Sequence, residues 1–189
     1  MRRAGVILLL AAIGACAKHQ AAPTSPPPHF GFGRPATPEE IQAWDIAVSP
    51  DGKGLPPGHG TARQGMSVYQ RQCAGCHGAT GTEGPAERLV GRGPRSGFPF
   101  GRDPSLGRTI GNYWPYATTL YDYIHRAMPL NAPGSLQPDE LYSLVGYLLW
   151  RNEIVSDTAV IDAQSLPRIV MPAHARFVTD NRRGGREIR

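Results

Sequence analysis

Cys73-Ala74-Gly75-Cys76-His77 is the stretch on which the reading of this 189-residue chain turns. Two thiols three positions apart, followed at once by an imidazole, form the pattern to which c-type haem is attached. The thiols meet the two vinyl groups of one porphyrin, and His77 then lies under the iron as proximal ligand. A thioredoxin-like pair would need a strand–helix–strand setting, and none surrounds the motif. A structural zinc site would need a second ligand pair, and the only other cysteine is Cys16. The motif occurs once, so one covalent haem c is expected.

Working outward, the helical pattern begins at Thr61. Ala62, Met66, Tyr69 and Cys73 recur at three- or four-residue spacing, with Gly65 on the same face, where a missing side chain lets another helix approach closely. Met66 reads as core there. Residues 78–116 are rich in Gly and Pro and read as irregular chain around the haem. They carry Arg88, Arg92, Arg95, Arg102 and Arg108, read either as a solvated loop or as a docking or propionate-neutralising patch. Residues 117–127 place Leu120, Tyr123, Ile124 and Ala127 on one helical face, and Pro129 ends that helix because proline disfavours helical backbone at the residue before it. Pro138-Asp139-Glu140 starts the last helix, whose stripe is Leu141, Leu144, Val145, Leu148 and Leu149.

The sixth iron ligand has several candidates. Met128, between the two last helices, is favoured, since a thioether with a histidine suits a low-spin carrier of raised potential. Met171 is a second Met-Pro methionine, and His59 and His125 are distal histidines. An open, five-coordinate site is the remaining alternative and would make a ligand-binding or catalytic haem protein.

The N-terminus MRRAGVILLLAAIGACAKHQ reads as an export signal, with Arg2 and Arg3 before an apolar stretch and small residues after it. Ile13-Gly14-Ala15-Cys16 looks like a lipobox, which gives residues 1–15 as a lipoprotein signal and Cys16 as the lipidated first mature residue. Cleavage after Ala17 is the alternative and would leave a soluble periplasmic protein. The apolar run Ala4 to Ala17 is 14 residues, too short to span a bilayer. Residues 16–36 hold five prolines and read as a tether, 37–60 as a leader with a short helix capped by Thr37, 61–155 as the haem domain, and 156–189 as a C-terminal extension. Without Arg2 and Arg3 the formal charge falls from +5 to +3, too mild and scattered for nucleic-acid binding.

In the order helix, CxxCH, loops, helix, Met-Pro, terminal helix, the chain resembles a class I cytochrome c over about residues 61–153. The resemblance implies an all-α fold of few helices around the haem, with Cys73 and Cys76 holding it and His77 and Met128 ligating iron. It also implies that a proline carbonyl after the motif accepts the ring N–H of His77, with Pro85 the candidate. A narrower resemblance rests on Trp44-Asp45-Ile46, on Pro50-Asp51-Gly52, and on Thr109-Ile110-Gly111-Asn112-Tyr113-Trp114-Pro115-Tyr116-Ala117-Thr118-Thr119 with Arg126-Ala127-Met128-Pro129. These are similar to the cytochrome subunit of periplasmic sulfite or sulfane dehydrogenases. That implies a molybdenum-cofactor sulfite-oxidising partner, a downstream cytochrome or oxidase, and a position on the periplasmic side of a bacterial membrane, held there by the lipid. The chain is then an electron-transfer subunit and not a catalyst by itself. A cytochrome partner of another periplasmic dehydrogenase is the alternative, and a haem with a purely structural role is another. Tyr113 and Trp114 are candidates to hydrogen-bond a haem propionate, or else form a buried aromatic cluster.

Overall fold

In the computed structural model, residues 31–103 and 105–178 are described. The export signal, Cys16, most of the Pro-rich tether and the basic end from Arg182 lie outside the described residues. From Thr37 onward the described chain packs as one unit. Its helices are α1 (Pro38–Trp44), α2 (Ala62–Gln72), α3 (Ala74–His77), α4 (Ala117–Ala127) and α5 (Pro138–Arg151). The fold is mainly helical, with one small sheet that the sequence periodicity does not show: β1 (His59–Thr61) pairs antiparallel with β2 (Val160–Asp162), Gly60 opposite Ile161.

Helix starts are set locally. Thr37 and Glu40 exchange hydrogen bonds at the head of α1, at 3.2 and 2.8 Å. Thr61 and Gln64 do the same at the head of α2. Each pair satisfies amide groups that the first helical turn would leave without partners.

The core forms where α2 crosses α5. Leu141, Leu144, Val145, Leu148 and Leu149 are buried, as the α5 stripe predicts, and Tyr147 joins them. Burying each such side chain stabilises by roughly 1.5–3 kcal/mol, an upper figure because unfolded chains already hide some apolar surface. Gly65 lies at the crossing, against Ser143 and Tyr147. Two expected faces are turned. On α2 the buried arc is Ala62, Gly65, Val68 and Tyr69, and Met66 stands 44% exposed at its flank. On α4 Tyr121 is fully buried while Tyr123 is 44% exposed. The period locates an amphipathic helix; the position of α5 selects which arc is covered.

The leader is pinned to this bundle at several points. Val48 N–H donates to the Asp122 carboxylate at 2.8 Å in a buried contact, Thr118 donates to Pro50 O, Tyr142 Oη donates to Pro56 O at 2.7 Å, and His59 N–H donates to Asp139. The C-terminal extension returns through β2 and buries Ile161, Leu166 and Met171. Its neighbour Val170 is exposed, and Met171 takes the inward place.

Asp122 also pairs with Arg126 one turn on, so one carboxylate serves the leader and its own helix. Asp122→Ala leaves a buried amide unpaired, and the expected loss is about 2 kcal/mol of unfolding free energy. Asp122→Asn retains an acceptor for Val48 and should lose about half as much. Chemical denaturation of the two variants checks the ordering, and equal losses would assign the effect to the ion pair alone.

Candidate functional site

The Cys73–His77 stretch leaves α2 and forms the single turn of α3. Cys73 N–H bonds to Tyr69 O and His77 N–H to Cys73 O, each at 2.9 Å, so both thiols and the imidazole belong to one helical turn. Both thiols are free; Cys73 is half-buried and Cys76 exposed. Burial first, and the neighbouring Cys76 second, push the Cys73 thiol up to about 11. At neutral pH it is a protonated thiol and not a metal-ready thiolate.

The chain beyond His77 folds back beneath the turn. Tyr69 Oη donates to Gly78 O at 2.8 Å, and burial pushes this phenol up to about 12. Ala86 N–H reaches Cys76 O, and Leu89 N–H reaches Gly81 O, both at 2.9 Å. Gly84 has to be glycine, since a Cβ there would lie 2.1 Å from Cys76 O. Glu83 braces the bend by accepting from the amide and hydroxyl groups of Thr80 and Thr82, and these bonds hold its carboxyl down at about 2.

His77 Nδ1 lies 2.8 Å from a backbone carbonyl, and that carbonyl belongs to Glu87. Pro85, the expected acceptor, is two residues too early and exposed. A carbonyl only accepts, so the proton sits on Nδ1 and the lone pair of Nε2 is left for a metal. Asn152 fixes the segment that follows Glu87. Its side chain accepts from Gly91 N–H at 3.0 Å and donates to Leu89 O at 3.2 Å and Leu148 O at 2.8 Å, fully buried. Neither Glu87 nor Asn152 was legible as a site residue: one acts through its backbone, and the other resembles any asparagine at a helix end.

Met128 caps the C-terminal end of α4 in extended backbone and is half-buried. Its side chain and that of Cys73 pack against the same apolar cluster. Met171 is 1% exposed within that cluster, where its thioether is a packing group. His59 is exposed on β1. His125 turns its Nδ1 into the protein beside the Tyr121 ring, 6.1 Å away between centroids.

Tyr113 stacks on Phe98 at 5.6 Å and meets Phe100 and Phe177 edge-on, with the Arg108 guanidinium 4.8 Å above its ring. Trp114 meets Tyr123 edge-on at 5.7 Å. Both rings therefore belong to aromatic clusters. The arginines of the loop divide: Arg92 pairs with Glu153 at 3.1 Å and Arg108 donates to Phe100 O, while Arg88, Arg95 and Arg102 are exposed.

These donors fit a covalently attached haem. The thiols sit on one turn, the imidazole is oriented with its free nitrogen fixed, and a thioether ends a nearby helix. Among the described residues no group of three or more His, Cys, Asp and Glu side chains could hold a metal ion by itself. No described helix is long and apolar enough to cross a membrane.

Residues 60–148 match the family model described as cytochrome c oxidase, cbb3-type, subunit III. Among solved structures, a chain in the crystal structure of the sulfane dehydrogenase SoxCD from Paracoccus pantotrophus is similar, with 39% sequence identity and a TM-score of 0.69. The likeness covers 81% of this chain and 73% of that one. No curated protein sequence matches.

Proposed function

The chain belongs to the cytochromes c, and from that premise we propose that it is the electron-accepting haem subunit of a periplasmic, molybdenum-dependent sulfane or sulfite dehydrogenase. Haem c supplies the one-electron redox change when bound; the protein supplies attachment, orientation and burial. Cys73 and Cys76 would hold a single haem by thioether bonds, and His77, its ring fixed by the Glu87 carbonyl, and Met128 would ligate the iron. Electrons arrive one at a time from the dehydrogenase subunit and leave to a downstream cytochrome or oxidase. Residues 1–15 direct export, and lipid on Cys16 holds the protein on the periplasmic side of a membrane by hydrocarbon burial, with residues 16–36 as tether.

The observation that carries this reading is the reach of the likeness to the sulfane dehydrogenase chain. The family model stops at residue 148, whereas the likeness covers 81% of the chain and so takes in sequence outside the haem domain. A general electron carrier has no need to share those parts.

The test uses the native complex. Membranes are solubilised, this protein is captured, molybdenum is assayed in the eluate, and haem absorbance is followed after sulfite and, separately, thiosulfate. The expected result is molybdenum in the eluate and rapid haem reduction by one of the two. A haem that dithionite reduces, with no molybdenum and no response to either sulfur compound, would keep the cytochrome and remove the proposed partner.

A further inference from the structure

We propose that Asn152 is a positioning residue for the haem: from the end of α5 it holds the segment beyond Glu87, so that the Glu87 carbonyl stays on His77 Nδ1 and sets how strongly the imidazole donates to iron. The proposal rests on the reading of the chain as a haem carrier with His77 as a ligand.

Asn152 follows the last turn of α5 and is 1% exposed. Both of its side-chain hydrogens are spent on carbonyls. One goes back into its own helix, to Leu148 O at 2.8 Å, and the other to Leu89 O at 3.2 Å. The side-chain oxygen accepts from Gly91 N–H at 3.0 Å. The amide cannot be turned over, because its oxygen would then face two carbonyls and its nitrogen an N–H. Closing the helix end needs only the bond to Leu148. The other two reach residues 63 and 61 positions earlier in the chain, Leu89 and Gly91. Room for the side chain is left by Gly111, whose Cβ would lie 2.5 Å from Asn152 Oδ1. Asn152 lies beyond residue 148, where the match to the family model ends.

The Glu87 carbonyl is held from both sides. Before it, Ala86 N–H bonds to Cys76 O at 2.9 Å, on the turn that carries the thiols. After it, Leu89 N–H bonds to Gly81 O at 2.9 Å, Leu89 O accepts from Ile110 N–H at 3.2 Å, and Thr109 Oγ1 donates to Gly91 O. Asn152 adds the tie to α5, the helix that supplies much of the core. Glu87 itself is exposed. A carbonyl–imidazole bond in that position competes with water unless its acceptor is fixed from behind. A firm bond from Nδ1–H to the carbonyl pushes electron density onto the ring and makes Nε2 the stronger donor. A stronger donor favours ferric iron and lowers the potential.

The experiment uses the haem-loaded full-length protein. It reads the reduction potential and, by NMR of the ferrous form, solvent exchange of the His77 ring N–H. Asn152→Leu keeps the volume and removes the three side-chain bonds. Leu166→Ala is the control: it opens a cavity at a fully buried residue of the C-terminal extension and removes no bond of the segment. In Asn152→Leu the potential is expected to shift upward. The ring N–H should exchange about tenfold faster or more, the factor by which loss of one buried hydrogen bond changes a local opening equilibrium. In Leu166→Ala the melting temperature should fall while potential and exchange stay as in wild type. Asn152→Ser leaves room for a bridging water and should lie between wild type and Asn152→Leu; it decides by the same two readouts if Asn152→Leu does not accumulate with haem. Asn152 variants that melt earlier but keep the wild-type potential and exchange rate overturn the proposal and leave Asn152 as a helix cap. Equal shifts in Leu166→Ala also overturn it, since they would come from general loosening. Absence of covalent haem from the wild type would remove the haem reading itself, a failure distinct from a haem-loaded protein with an indifferent Asn152.

Discussion

Gly65→Ala is expected to destabilise the fold by about 3 kcal/mol or more, at the upper end of overpacking costs, and to lower the melting temperature by roughly 10 °C for a domain of this size. A Cβ at this position would lie 1.9 Å from Ser143 O, 2.4 Å from Ser143 C and 2.8 Å from Tyr147 Cβ. The first two are backbone atoms in the middle of α5, with no side-chain rotation to relieve them. The helices must separate, and separation loosens the cluster of Tyr69, Leu144 and Tyr147 together. It also slackens the turn that carries Cys73, because α3 follows directly from α2. Gly107→Ala is the control, since its Cβ meets nothing within 4 Å. Thermal unfolding of the two variants checks the contrast. A Gly65→Ala protein that melts with the wild type would mean that α2 and α5 do not cross at this closeness.

Met128→Ala is expected to retain covalent haem while losing the low-spin spectrum and lowering the reduction potential, because methionine–histidine ligation raises it. Attachment depends on the two thiols and is untouched by the change. Met171→Ala is the informative partner. Its side chain is buried in the apolar cluster, so its removal should cost about 2–5 kcal/mol as a cavity and leave the spectrum as it was. Absorbance spectra and redox titration of both variants decide the ligand. If the spectral change follows Met171 and spares Met128, the distal assignment moves to the C-terminal extension.

Features carried by neighbouring residues could be read before any coordinates. The Cys73–His77 pattern names its cofactor because both thiols and the imidazole lie within five residues, on what becomes one helical turn. The starts of α1, α2 and α5 follow from Thr37-Pro38, Thr61 and Pro138-Asp139-Glu140, since capping is settled within a single turn. Gly65 announced a close helix crossing because so small a residue on an apolar face leaves room for a neighbouring backbone.

What only the tertiary structure decided depends on partners far along the chain. β1 and β2 are three residues each, too short to show a period, and they exist because each supplies the other's ladder. Val68 and Tyr121 are inside, and Met66 and Tyr123 outside, because a helix turns its apolar arc toward whatever packs against it. The carbonyl that orients His77 is Glu87's and not Pro85's, since the path of a loop is set by contacts such as those of Asn152 and not by its count of residues. Arg176 lines one cavity with Arg92 and Arg95 because the extension folds back over the helices. A sequence states which charges a chain owns; only the closed fold, by bringing distant segments within the range of unscreened attraction, states which of them share a site.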